Sequence, residues 1–217
     1  MRRVLRPAVL ALALAAALGA GPAQSFPDTY DGRLQALALV QQLNADLLSR
    51  PSATETLQIW CARRGLADPA QVRAALVKGA EKPAPEAVRA LLGAEPRQTV
   101  RYRHVQLICG GKVLSEADNW YLPSRLTPAM NRQLDETDTP FGLVVKPLGF
   151  TRRTLQAVIL FRPFPVDYGE AGPARARRLV TPPYVLQHKA LLSTAEGAPF
   201  SVVIETYTRA LIDPEGR

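Results

Sequence analysis

What this chain has least of already narrows what it can be. Its 217 residues include two cysteines (Cys61 and Cys109), two histidines (His104 and His188), two methionines and two tryptophans. Two cysteines exclude a disulfide-dense scaffold. The two histidines have no cysteine or carboxylate at ligand spacing around them, so no metal site is expected. Fourteen glycines without a three-residue period exclude a collagen-like chain, and no heptad is sustained, which excludes a coiled coil. No nucleophile-elbow motif surrounds any serine, so a Ser-His-Asp hydrolase has no motif behind it. What is abundant is proline, 19 residues, which argues for several loops and against a simple helix bundle. A composition of 47% hydrophobic and 21% charged residues is that of one globular domain, with or without appendages.

Residues 1–25 read as a secretory signal peptide. Arg2, Arg3 and Arg6 precede an unbroken run of Ala, Val, Leu and one Gly from Ala8 to Ala20, and small residues follow at Ala23 and Ser25. A membrane anchor is the alternative, but a span needs roughly 20 apolar residues, and the run is shorter. No cysteine follows it for a lipoprotein. The expected product is a single domain of residues 26–217, periplasmic or secreted, with no integral membrane segment after signal removal. Its charge falls from 27 − 19 = +8 to 24 − 19 = +5. That excess is scattered. The densest cluster, Arg175, Arg177 and Arg178, lies in a Gly/Pro-bounded stretch poor in aromatics, which reads as a solvated loop, with no nucleic-acid partner expected. Export also favours a Cys61–Cys109 disulfide over two separate thiols.

Periodicity predicts a helix over Arg33–Leu48, interrupted by Pro51, and a second from a Ser52-x-x-Glu55 capping box to about Arg64. A third helical stretch is expected over Ala70–Lys78, and shorter ones over Glu86–Leu92 and Thr127–Leu134. From Val100 the period is two. Arg101–Cys109 and Val113–Leu122 form a hairpin around Gly110-Gly111. Thr139–Gly142 reads as a turn. Thr154–Arg162, Tyr184–Ser193 and Phe200–Thr208 follow as strands, the last two as a hairpin. Helices first and hairpin-linked strands later predict an α+β fold with an antiparallel sheet.

Two charged residues stand where packing residues belong. Arg103 alternates with Val105, Leu107 and Cys109, and Glu205 shares a strand face with Ser201, Val203 and Tyr207. A strand-end Arg reaching solvent, a salt bridge between the two, or a shared ligand would each explain them. For a ligand, the guanidinium suits a carboxylate and the Glu suits a hydroxyl. Glu116 and Asp118 also share a face, as an acid/base pair, half of a cation site, or a solvated edge.

These residues resemble a known family. Arg103-His-Val-Gln-Leu, Cys109-Gly-Gly, Ala117 and Pro123 are similar to the central hairpin of chorismate pyruvate-lyase. Ser52-Ala-Thr54, Thr139-Pro-Phe-Gly142, Gly197-Ala-Pro199 and Glu205-Thr-Tyr207 resemble its other motifs, in order over residues 45–210. The resemblance implies a six-stranded antiparallel sheet flanked by helices and a ligand buried under helical flaps. It further implies elimination of pyruvate from chorismate to give 4-hydroxybenzoate without cofactor. Arg103 and Glu205 would carry that chemistry, binding the ring carboxylate and standing near the 4-oxygen. Phe141 would touch the ring. Arg153 falls near a family Arg, and Ala53 stands where the family has Met. Chorismate is cytoplasmic and this chain reads as exported. The expectation is therefore either a lyase or an exported, non-catalytic binder of a small aromatic or other carboxylate, in either case a monomer. A third reading relates the domain to ligand-sensing domains of regulators.

Overall fold

The structure is a computed structural model and describes residues 26–77, 79, 81–164 and 178–212. The signal peptide expected over residues 1–25 lies outside them, as do Arg175 and Arg177.

Helix α1, Tyr30–Ser49, starts at Thr29, whose hydroxyl accepts from the Gly32 amide at 3.2 Å. It stops at Arg50 because the residue before Pro51 is driven into extended backbone (φ −118°, ψ 145°). Ala36, Val40, Leu43 and Leu47 form its buried stripe. Helix α2, Ala53–Arg63, is capped by Ser52, whose hydroxyl accepts from the Glu55 amide at 3.2 Å. The reciprocal half of the expected capping box is absent. The Glu55 carboxylate instead takes the Lys146 ammonium at 2.7 Å.

The stretch expected as a third helix is strand β1, Arg73–Leu76. Ala and Leu favour helix, but here tertiary pairing overrides propensity. The Gln58 side chain grips the segment from both sides, accepting from the Val72 amide at 2.9 Å and donating to the Ala70 carbonyl. β1 then pairs with the edge of the central hairpin. Helix α3 is Glu86–Leu92. Strands β2, Arg101–Cys109, and β3, Lys112–Tyr121, turn at Gly110 and Gly111, both at positive φ (57° and 75°), as a two-residue hairpin turn of this kind requires. Helices α4, Pro128–Glu136, and α5, Phe141–Val144, cross back before β4, Thr151–Ile159, β5, Tyr184–Ser193, and β6, Pro199–Thr208. The expected turn at Thr139–Gly142 is thus the entry to α5.

The strands form one antiparallel sheet in the order β1-β2-β3-β6-β5-β4, so the fold is α+β with a six-stranded antiparallel sheet. Two three-stranded meanders meet along the β3–β6 seam. On the inner face, α1 and α2 pack over Leu107, Leu186 and Tyr207. Leu126, Met130, Leu134, Val144 and Val145 pack over Val105, Ala190, Phe200 and Val203. On the outer face, α3 covers Trp120, Leu191 and Val202. Cys61 of α2 and Cys109 of β2 are disulfide-bonded with a Cα separation of 6.4 Å. Among the described residues no helix is long and apolar enough to cross a membrane.

Glu116 and Asp118 lie on the outer face and are engaged there. Asp118 takes the Tyr102 hydroxyl at 2.6 Å, Lys82 at 2.8 Å and His104 at 2.9 Å. Burial works to raise its pKa, but these three donors outweigh burial and hold it below the usual carboxylate range. Glu116 accepts from Gln106 and Tyr184.

Candidate functional site

The inner face carries a partly open cavity, of about 50 Å³, across the seam between the two meanders. Its floor is Val105 and Leu107 from β2, Ala117 and Asn119 from β3, Leu192 from β5, and Ser201, Val203 and Glu205 from β6. Phe150 and Arg152 close the β4 side. The roof is the start of α2, Ser52-Ala53-Thr54, against Phe141 and Gly142 of α5. Roof and roof meet closely at Gly142. A Cβ there would stand 3.3 Å from the Thr54 hydroxyl and 3.5 Å from that of Ser52, so a side chain at this position would press on the hydroxyls at the start of α2.

Glu205 is 7% exposed and lines the cavity. Its Oε2 receives the Arg152 guanidinium at 2.6 Å and the Tyr207 hydroxyl at 3.0 Å. Arg152 donates its other terminal nitrogen to Thr154 at 3.0 Å. Burial works against the Arg152 charge, but Glu205 and Tyr207 outweigh it and leave the guanidinium above its ordinary pKa. Burial and then Glu205 push the fully buried Tyr207 hydroxyl well above the usual phenol range. His188 stands opposite Glu205 on β5, stacked edge-on to Tyr207, and its Nε2 meets the Asn44 side chain of α1 at 2.8 Å. Burial and the neighbouring Arg152 lower its pKa to about 4, against the opposing pull of Glu205, so the imidazole is neutral at pH 7. Beside this network, Ser201 donates to the Asn119 oxygen at 2.6 Å, which turns the Asn119 amide nitrogen away to serve another partner. The site therefore offers a clamped carboxylate, a buried guanidinium and an oriented amide against an apolar wall of Phe141, Phe150, Leu107 and Leu192.

Phe141 and Ala53, the two apolar residues named from the resemblance, line the cavity. Arg103 lies on the same face as Glu205, but its guanidinium does not line the cavity. It faces a groove with Arg101, Tyr121, Leu134 and Asp135, and the Tyr121–Phe141 ring pair, 5.4 Å between centroids, stands between groove and cavity. Arg103 is 7% exposed, and its Nη1 is buried without a hydrogen-bond partner. Burial lowers its pKa, opposed by Tyr121 and Asp135. From the strand register, the Cα atoms of Arg103 and Glu205 are two strands and two residues apart, roughly 12 Å.

Arg153 is a correction. It is exposed and points to the other face of β4, whereas its neighbour Arg152 lines the cavity. Alternation alone separates the two. The strand begins at Thr151, three residues before the expected start, and that register carries Arg152 and Thr154 inward. Asn119, paired with Arg103 across the hairpin, was equally missed, although its place between Ala117 and Tyr121 on the inward period was the available signal.

No protein-family model matches the chain. Among solved structures it is similar to the ligand-binding domain of a putative GntR-family transcriptional regulator from Bordetella bronchiseptica. That match has 18% identity, covers 63% of this chain and 82% of that one, and has a TM-score of 0.40. It is also similar to the effector domain of PhnF from Mycobacterium smegmatis, with 14% identity, 73% and 88% coverage, and a TM-score of 0.45. In sequence it is 45% identical over 194 residues to the uncharacterized protein y4mC of Sinorhizobium fredii (strain NBRC 101917 / NGR234), covering 88% of this chain and 82% of that protein. At that identity and coverage, the chain belongs to the y4mC family.

Proposed function

We propose that this is an exported small-molecule-binding protein whose ligand is a small carboxylate bearing a hydroxyl, of the aromatic acid class. The observation that carries the reading is Arg103, a buried guanidinium on the same sheet face as Glu205 with Nη1 left unpartnered. A buried charge without a partner is costly, and a ligand carboxylate reaching past Asn119 would complete it once Phe141 moves aside with α5 and opens the Tyr121–Phe141 pair. Glu205 Oε1 then accepts the ligand hydroxyl, since Oε2 is occupied by Arg152 and Tyr207. That commitment suits holding a ligand more than shuttling a proton. The cavity is about a third of the roughly 150 Å³ that takes a benzene ring, so a ring enters as the roof of α2 and α5 lifts. The disulfide supports export, because such bonds persist in oxidising compartments.

The second reading, a chorismate pyruvate-lyase, is favoured by the resemblance and by the placement of Arg103 and Glu205 on one face. The same two residues would fix the ring carboxylate and meet the departing ether. Calorimetry with 4-hydroxybenzoate tests the shared site. Arg103→Ala should cost about 2–5 kcal/mol of affinity, and Arg103→Lys should recover part of it, because an ammonium lacks the planar fork. Unchanged affinity in Arg103→Ala removes the carboxylate role. Pyruvate released from chorismate by the wild type would move the chain from binder to lyase. N-terminal sequencing of the purified protein that begins at Met1 would remove export.

A further inference from the structure

Helix α1 has a second apolar face besides the one it buries. Leu34, Ala38, Gln41, Ala45 and Leu48 are all exposed, the two leucines by 47% and 49%. At 100° per residue they fall within about 80° of one another, opposite the stripe of Ala36, Val40, Leu43 and Leu47 that meets the core. No charged residue interrupts this outer stripe, although 21% of the chain is charged. A helix lying on a domain ordinarily turns charge to water on this side.

The stripe is also symmetric. Leu34 and Leu48 stand seven residues either side of Gln41, with Ala38 and Ala45 between. Two antiparallel copies crossing at Gln41 would set Leu34 of one against Leu48 of the other, bring small residues together so that the helices approach closely, and pair the two Gln41 amides on the two-fold axis. The ends agree. In this register Asp31, in the first turn of one helix, comes beside Arg50, just past the last turn of the other. Both are exposed, and among the described residues neither is in an ion pair. The antiparallel arrangement also opposes the two helix dipoles favourably.

We infer that α1 carries a docking surface for α1 of a second copy of this chain, with a polar pair at its centre and Asp31–Arg50 pairs at its ends. The helix is about 30 Å long, and its face covers about 300 Å² per protomer. Two such faces fall below the roughly 1,200 Å² of a stable interface, so the dimer is reversible and concentration-dependent. The expected monomer is then the dilute state.

Sedimentation velocity of the full chain, from low micromolar to several hundred micromolar, tests this. Dimer should accumulate at the upper end, and Leu34→Glu should abolish it without changing the circular dichroism spectrum. Asp31→Arg should weaken it, more at low salt, and Asp31→Arg combined with Arg50→Asp should restore it. Both native cysteines are in the disulfide, so one added thiol reports cleanly. Gln41→Cys should oxidise to a covalent dimer. Leu34→Cys should not, because its two copies lie about 21 Å apart along the axis. A monomer at every concentration, a dimer indifferent to Leu34→Glu, no recovery in the charge swap, or equal cross-linking at 34 and 41 overturns the inference.

Discussion

Replacing Arg152 by Met is the sharpest perturbation of the buried network. The side chains of Arg152 and Glu205 are 3% and 10% exposed, and their contact is 2.6 Å. Without the guanidinium the carboxylate keeps the Tyr207 hydroxyl alone, in a place water hardly reaches. Breaking a buried pair by removing one partner costs about 3–5 kcal/mol. For a domain of this size that is roughly 6–20 °C in melting temperature. The loss comes from the abandoned charge more than from the missing contact, so a second change should return much of it. Arg152→Met with Glu205→Gln removes both charges and leaves an amide that Tyr207 can still meet, and such replacements are often close to neutral. Urea unfolding of the wild type, both single variants and the double variant gives the coupling directly. A single variant within about 1 kcal/mol of wild type, or a double variant no more stable than Arg152→Met alone, refutes the argument.

Two further outcomes rest on the same core. His188 titrates near 4 when folded against about 6.5 when unfolded, so between those values the unfolded chain binds a proton that the folded chain refuses. Stability is therefore full above pH 6.5 and falls by up to about 3 kcal/mol as pH drops through 4. His188→Gln should flatten that slope in urea midpoints, and equal slopes would contradict it. The disulfide closes a separation of 48 residues, for which chain entropy gives about 4 kcal/mol. Reductant should lower the wild-type midpoint by that order and leave the Cys61→Ala/Cys109→Ala variant unmoved.

The elements legible in the sequence were those whose signals are local. Gly110-Gly111 between two alternating runs gave the central hairpin, and Ser52 marked the start of α2. What failed was decided at a distance. β1 is Ala-rich and reads as helix until Gln58 and the edge of β2 claim it. Glu55 looked like half of a capping box, yet its partner Lys146 lies 91 residues away. Arg103 and Glu205 were placed on the correct face by alternation. Alternation says nothing of side-chain torsions, so it could not show Arg103 turning toward Asp135 rather than into the cavity. Arg152 was hidden by a strand boundary drawn three residues late, while the family resemblance pointed to its neighbour Arg153 instead.

The seam between the meanders has a consequence for how the proposed ligand would act on this chain. β1-β2-β3 and β6-β5-β4 are each joined by neighbouring pairings, whereas β3 and β6 meet across some 85 residues of sequence. Such distant pairings are the slow part of folding, because loop closure precedes their reward. Val105, Leu107, Ala117 and Asn119 come from one half of the sheet. Arg152, Leu192, Ser201, Val203 and Glu205 come from the other. Neither half folded alone contains a site, so partly folded chains have nothing to offer a ligand. The stabilisation it gives then accrues to the native state alone and grows as the logarithm of one plus the ratio of free ligand concentration to Kd. On the proposed binding function, the melting temperature of this protein is a direct meter of ligand affinity, readable across a library of small acids before any one of them has been identified.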